Sequence, residues 1–424
     1  MGITTRDKEQ VVIPSDWTIV PIGEMITDIA DGPFGSNLKS EHYTEEREAR
    51  IVQLSNIGED GWKEENTKYT TFEHAKKIER SIVKSGEVIM AKMMPAGRSI
   101  ICPSKEKMYV LSSDAVRLRL NKNVVNTDYF IYATKSQFFL KQIGDDIQGS
   151  TRARTSITKI KKNTLLLPEP NEQEAIASVL SAIDKLISTL EKEIEKKKNI
   201  QIGIMQEYLT GKKRIEGYSE EWDEKTLEDL CTLITKQTGF DYSAEIKPSL
   251  VSVHYNNTLP FLQNKDFEGY KINYDTDFYI PTEVAYKYPK IFLNEECLLI
   301  SISGRIGNVA MFDHECDAFV GGAVGVAKFK NPELVEWAML YLLGTEGQKQ
   351  IFENEKAGAQ HNLTVEDVRN LQIRIPKKEE RQAIAAVIAD MEKNIAKLEE
   401  KLSKYNNLKR GMMNDLLTGK IRLV

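Results

Sequence analysis

Cysteine is scarce. Four occur in 424 residues, at Cys102, Cys231, Cys297 and Cys316, with no CxxC spacing. Scattered thiols exclude a disulfide framework and suit a reducing cytoplasm, where the chain is expected to reside. No apolar run approaches the length of a membrane span, and the chain opens on polar residues, so neither a membrane partner nor a signal peptide is expected. An excess of basic charge is also missing. The net charge is −5 and the pI about 5.8. Any surface for nucleic acid is therefore local and balanced by acid elsewhere, and the acidic surplus could instead face a basic partner. Catalytic motifs are absent as well. There is no HExxH, no GxSxG, no NPPY-type motif and no helicase set. Gly211-Lys212 and Gly419-Lys420 lack the upstream glycine and the following Ser/Thr of a phosphate loop, and each ends a helical pattern. Gly304 to Gly307 and Gly321 to Gly325 lack dinucleotide-fingerprint context and read as tight turns. Asp313 to Asp317 is a run of five potential ligands, but consecutive residues do not converge on one ion. No catalytic residue, cofactor site or metal site is assigned, which describes a binding protein or a subunit that serves a catalyst on another chain.

What the chain does have is a repeat. Glu172 to Leu209 returns as Glu380 to Leu417, 208 positions later and without a gap. PEPNEQEAIASVL faces PKKEERQAIAAVI, and YLTGKKRI faces LLTGKIRL. Roughly two in five aligned positions are identical, too many for chance over such a length. Ile176, Leu180, Ile183, Ile187, Leu190 and Ile194 step by four and three, the seam of a coiled coil. The pattern blurs at Lys196 to Lys198 and resumes out of phase at Ile200 and Ile204. The second seam is Ile384, Ile388, Met391, Ile395, Leu398, Leu402 and Tyr405. A helix of this length spans roughly 55 Å. Gly211 serves as its C′ residue, with Lys212, Lys213 and Arg214 placed to complement the dipole.

Around the helices lie two similar mixed segments. The expected divisions are 1–168 and 215–376 for the globular domains, and 169–214 and 377–424 for the helices. In the first domain ARIVQLSNIG, GEVIMAK, SIICPS and MYVLSSDAVRLRL read as strands. TDYFIYATKSQFFLKQI reads as a helix with Thr127 as N-cap, followed by the basic loop GSTRARTSITKIKK and a last strand, TLLLP. The second domain repeats this order. Trp222 stands where Trp17 stands, NEECLLISISGRIGNVAMF parallels SGEVIMAKMMPAGRSIICP, and AGAQHNLT parallels GSTRARTSIT. The expected fold class is α+β: two similar globular domains joined by two long antiparallel helices forming a coiled coil, with an internal pseudo-two-fold repeat. The antiparallel sense follows from connectivity, because the second helix starts where the first ends. The alternative is that each helix packs only on its own domain.

Outside the helices the two halves share little identity, and their loops carry side chains suited to nucleic acid. Arg and Lys match guanine edges and phosphates, and Asn and Gln match adenine. The candidates in the first half are Asn37, Lys39, Gln53, Asn56, Lys92, Arg98, Thr151, Arg152 and Arg154. In the second they are Lys236, Gln237, Asn264, Lys265, Arg305, Gln360, His361 and Asn362. Each alone is more often a solvated surface group. The run Arg152 to Lys162 is the strongest basic footprint.

The duplicated EQEAIASVL and EERQAIAAVI starts, the long helices and the LTGKxR ends resemble the specificity subunit of type I restriction-modification enzymes, across essentially the whole chain. GPFGSNLK and GSTRARTSI add to the resemblance, although the second half offers KQTGFDYS in place of GPFGSN. The resemblance implies a non-catalytic subunit whose two domains each read half of a bipartite, asymmetric double-stranded DNA target. It implies paired helices that set the spacer and dock two methyltransferase subunits. Those subunits would carry S-adenosylmethionine and methylate adenine N6, and a restriction and motor subunit would complete the enzyme. The outward charged faces and LTGK ends are where the methyltransferase is expected. Two other readings compete. A self-contained restriction or modification enzyme would require motifs the chain lacks, and a coiled-coil scaffold with protein- or carbohydrate-binding domains would show no DNA sequence preference.

Overall fold

Each globular part is closed by its own first and last strands. Thr18–Pro21 pairs antiparallel with Thr164–Leu167, and Asp223–Thr226 pairs with Gln372–Ile375. The last strand of each pair runs straight into a long helix, Pro170–Tyr208 or Lys378–Leu416. Pro170 begins the first helix, where a missing N–H costs nothing. These details come from a computed structural model that describes residues 13–33, 37–147, 154–353 and 362–423. Two compact units emerge, Met1–Glu191 with Glu400–Val424, and Lys192–Glu399. The division passes through both long helices.

The two units share a common strand core, to which the first adds the edge strand Tyr43–Thr44 and the second the ribbon Phe267–Glu268 with Lys271–Ile272. In the first, a four-stranded antiparallel sheet runs Ile26–Asp31, Ala115–Leu120, Val88–Ala91, Ser99–Ile101. In the second the order is Cys231–Lys236, Val324–Phe329, Cys297–Ser301, Val309–Phe312. A second sheet in each unit is mixed. Ala49–Val52 lies parallel to Met108–Leu111, as Thr258–Leu262 lies parallel to Ala318–Val320. The central strands Val88–Ala91, Cys297–Ser301 and Val324–Phe329 are buried along their whole length, which explains their largely apolar sequences, although Ser301 and Lys328 are buried with them.

Three local expectations change. The helix read from TDYFIYATKSQFFLKQI is two, Thr127–Ala133 and Gln137–Ile147. Its N-cap is Asn126, whose Oδ1 accepts the Tyr129 amide at 3.0 Å, and not Thr127. The corresponding stretch of the second unit likewise breaks at Gly344, into Val335–Leu343 and Thr345–Glu353. Part of the expected basic loop, Ile157–Lys162, is a short helix capped by Ser156.

Within each unit the two helix segments run antiparallel. In the first unit, Lys409 on one helix bonds Asp184 on the other at 2.7 Å, and Arg422 just past one helix end reaches Glu172 at the other's start. In the second, Lys198 reaches Glu399 at 2.7 Å, and Arg214 reaches Glu380. Ile176, Leu180, Ile183, Ile187, Leu190 and Ile194 are buried, as are Ile384, Ile388 and Ile395. Met391, Leu398, Leu402 and Tyr405 are half-buried. The seam does not slip out of phase after Ile194. Its four-and-three spacing continues through half-buried Lys197 and buried Gln201, while Ile200 is 46% exposed. Heptad position, and not apolarity, decides which side chain faces inward there. Lys197 can occupy such a place because its stem is apolar and its ammonium can reach water.

One side-chain arrangement occurs twice, once in each unit. Arg422 donates through Nε and Nη2 to the two carboxylate oxygens of Glu172, at 2.6 and 2.7 Å, and Trp17 Nε1 donates to Glu172 Oε2 at 2.9 Å. Arg214 does the same to Glu380 at 2.6 and 2.7 Å, with Trp222 Nε1 at 3.1 Å. Each guanidinium also lies over its indole, at 5.7 Å for Arg422 on Trp17 and 5.5 Å for Arg214 on Trp222. Both glutamates are buried, so the bidentate pairing compensates charges withdrawn from water. Glycine makes the approach feasible. Gly419 has φ +72°, and a Cβ there would stand 2.4 Å from Pro14 Cγ. The LTGKxR motif is thus a clasp: each helix's C-terminal end holds the start of the other. Its arginines are committed to this contact, whereas Lys212, Lys213 and Lys420 remain exposed.

Candidate nucleic-acid interface

At one end of each four-stranded sheet, three loops meet through a matching set of backbone bonds. In the first unit the Lys92 amide donates to the Asp114 carbonyl at 2.8 Å, and the Thr155 amide donates to the Lys92 carbonyl at 2.9 Å. In the second, the Ile302 amide donates to the Ala323 carbonyl and the Leu363 amide to the Ile302 carbonyl, both at 2.9 Å. Isolated bridges Met93 to Arg154 and Ser303 to Asn362 complete the correspondence. The helix that follows is capped by Ser156 in one unit and Thr364 in the other. Sheet register adds a further equivalence, Asp31 with Lys236, so Gly32 corresponds to Gln237.

The side chains on this frame differ completely. In the first unit Lys92 is buried and ion-paired to Asp31. Arg154 pairs with Asp114 at 3.3 Å and donates to the Ser113 carbonyl. The matching positions of the second unit are Lys236, Ile302, Ala323 and Asn362, which form no such pairs. Beside the first frame lies a polar cleft of about 410 Å³, lined among others by Tyr43, Gln53, Ser55, Asn66, Ser112 and Asp114.

The sequence candidates divide accordingly. Asn37 and Lys39 are exposed on the loop before His42, with the Asn37 carbonyl 2.8 Å from His74 Nε2. Gln53 and Arg98 are half-buried, and Arg98 Nη1 donates to the Ile57 carbonyl at 3.4 Å. Lys236 and Arg305 are exposed, and Lys265 is held by Asp277, which raises the Lys265 ammonium pKa. Thr151, Arg152, Gln360 and His361 lie outside the described residues. Two candidates are engaged inside the unit. Asn56 is fully buried: its Oδ1 accepts the Gln53 amide at 2.9 Å and its Nδ2 donates to the carbonyls of Lys63 and Glu65. It holds a loop and has no group left for a base. Asp266 does the matching work in the second unit, accepting the Gln263 amide at 2.9 Å, and burial raises its pKa. Lys92 is spent internally, as described. Asn264 keeps only part of its amide, since Nδ2 donates to the Ser303 carbonyl at 2.7 Å. The sequence marks Trp17, Trp222, Glu172, Glu380 and Arg214 singly but not the clasps they form, and Arg214, expected to complement its own helix's dipole, instead pairs with Glu380 as Arg422 does with Glu172. Their signal was present, because the Glu and Arg are identical at the same offset in both copies.

Two stretches, residues 14–199 and 219–407, match the family model of the type I restriction modification DNA specificity domain. The chain belongs to that family. It is a DNA-specificity subunit of a type I restriction-modification system, with two target-recognition domains. A similar protein is the type I restriction enzyme MjaVIII specificity subunit of Methanocaldococcus jannaschii, 25% identical over 436 residues that cover 97% of this chain and 94% of that one. The putative MjaX specificity subunit of the same organism is also 25% identical, over 97% of this chain and 95% of its own length. Among solved structures, the type I restriction-modification S subunit from M. genitalium shares the fold. It gives a TM-score of 0.58 at 15% identity, over 98% of this chain and 99% of that one. Among the described residues, no helix is long and apolar enough to cross a membrane.

Proposed function

We propose that each unit's loop frame reads one half of a bipartite, asymmetric double-stranded DNA target, and that the paired helices fix the spacer between the halves. The observation that carries this reading is the duplicated backbone frame with unlike side chains. A shared scaffold presents two different hydrogen-bonding surfaces, which suits two different half-sites. The chain supplies no catalytic group in this account. Two methyltransferase subunits dock on the outward faces of the helices and bring S-adenosylmethionine. Each target adenine is flipped out of the duplex into a partner's pocket, since it cannot be reached inside the stack. A restriction and motor subunit joins the same assembly in the cytoplasm.

The test is co-expression of this chain with its cognate methyltransferase subunit, followed by genome-wide mapping of N6-methyladenine. The expected result is a two-part motif with one fixed spacer length, and none when this chain is omitted. Methylation with no motif, or with a single contiguous motif, contradicts the proposal.

A further inference from the structure

Gln237 is the residue that the fold of the second unit explains least. It is 3% exposed, yet neither end of its amide has a hydrogen-bond partner. Burying an amide without partners is unfavourable, and an apolar side chain of similar shape would fill the same space at lower cost. Nor does the architecture need a side chain here, since the equivalent position of the first unit is Gly32. The space itself depends on a second exchange. A Cβ on Gly322 would stand 3.3 Å from Gln237 Oε1, while a Cβ on Gly32 would stand 1.7 Å from the Ser112 carbonyl oxygen. The first unit thus keeps the strand side small, and the second keeps the loop side small. Asn362 Oδ1, on the same frame, is also buried without a partner.

We infer that Gln237 is a specificity-determining residue for the second half-site, whose amide pairs with an adenine edge when DNA is bound. The inference rests on the proposed reading of DNA by this unit. Gln237 directly follows the strand Cys231–Lys236, between the exposed residues Lys236 and Thr238. Because its amide makes no hydrogen bond in the free unit, none is broken when the side chain turns outward. A carboxamide matches adenine with one donor and one acceptor, to N7 and N6 in the major groove. The pairing would satisfy both ends that the free protein leaves unmet, and the space under Gly322 lets the long side chain store inward when DNA is absent.

The experiment compares Gln237→Leu and Gln237→Glu in the full chain, each complexed with the cognate methyltransferase subunit. Readouts are thermal midpoint and the mapped methylation motif. Gln237→Leu is expected to hold or raise the midpoint while lowering methylation at the wild-type motif roughly 5- to 100-fold, with relaxation at one base pair of one half-site. Gln237→Glu, which keeps acceptors and loses the donor, is expected to shift preference at that base pair from adenine towards cytosine. A Gln237→Leu complex with the wild-type motif at wild-type level overturns the assignment. If Gln237→Leu does not fold, the near-isosteric Gln237→Glu decides, and an unchanged motif overturns the assignment there too. Failure of the underlying reading looks different, because the wild-type complex itself would then give no two-part motif.

Discussion

Glu380 has 1% of its surface exposed, and Arg214 supplies two of its hydrogen bonds. Removing the guanidinium strands a buried carboxylate. Arg214→Ala is therefore expected to cost roughly 3–5 kcal/mol in thermal or denaturant unfolding. The double substitution Arg214→Met with Glu380→Leu should recover much of that loss, because no unpaired charge remains; equal losses in the single and double variants would contradict the clasp. The twin clasp predicts a pH dependence. Burial would raise the Glu172 pKa, but the Arg422 guanidinium and the Trp17 indole outweigh it and hold the carboxyl below its usual range. The native state then binds fewer protons than the unfolded one as pH falls, so stability rises with pH through that window. The contribution is complete above the ordinary carboxylate value of about 4.3 and is lost as pH drops through the lower native value. Glu172→Gln should flatten stability against pH below about 4, and an unchanged slope would show the pairing to be inert. None of these partners was legible as partners, because Trp17, Glu172 and Arg422 are far apart in the chain and only folding brings them together.

At the scale of elements, the helices were the most readable part. A seven-residue seam is local, so Ile176 through Ile194 could be marked from spacing alone. The reading failed where polar residues hold seam positions. Lys197 and Gln201 look like an interruption, and apolar Ile200 attracts the register to itself. The structure makes the distinction measurable. Ile388→Ala is expected to cost about 2–5 kcal/mol, whereas Ile200→Ala should stay within about 0.5 kcal/mol. Comparable losses at the two sites would contradict the continuous register. The strands were also largely readable, since buried strands such as Val88–Ala91 appear as unbroken apolar runs. The roles of polar loop residues were not. Asn56 and Gln53 are three positions apart, yet one braces the loop internally and the other lines an open cleft. Side-chain type cannot separate those fates, because Asn serves equally well as a backbone clasp and as a base reader.

For the whole molecule, the duplication is what turns local observations into a functional account. Identity between the copies is concentrated in the helices and the clasp, while the sheet frames repeat in backbone bonding with different side chains. On the proposed reading, a shared frame with unlike surfaces separates two tasks, with the loops reading sequence and the helices measuring distance. That separation is the central claim, and it can be tested by changing length alone. Seven residues added to each long helix, between Asp184 and Lys198 in the first and between Glu399 and Lys409 in the second, preserve the heptad phase and both clasps. Each insertion adds about 10.5 Å of helix, close to three base-pair steps of DNA. The measurement is the methylation motif of the lengthened chain with its cognate methyltransferase subunit. The account predicts both wild-type half-sites, unaltered, separated by a spacer about three base pairs longer. Altered half-sites, or an unchanged spacer, would contradict it.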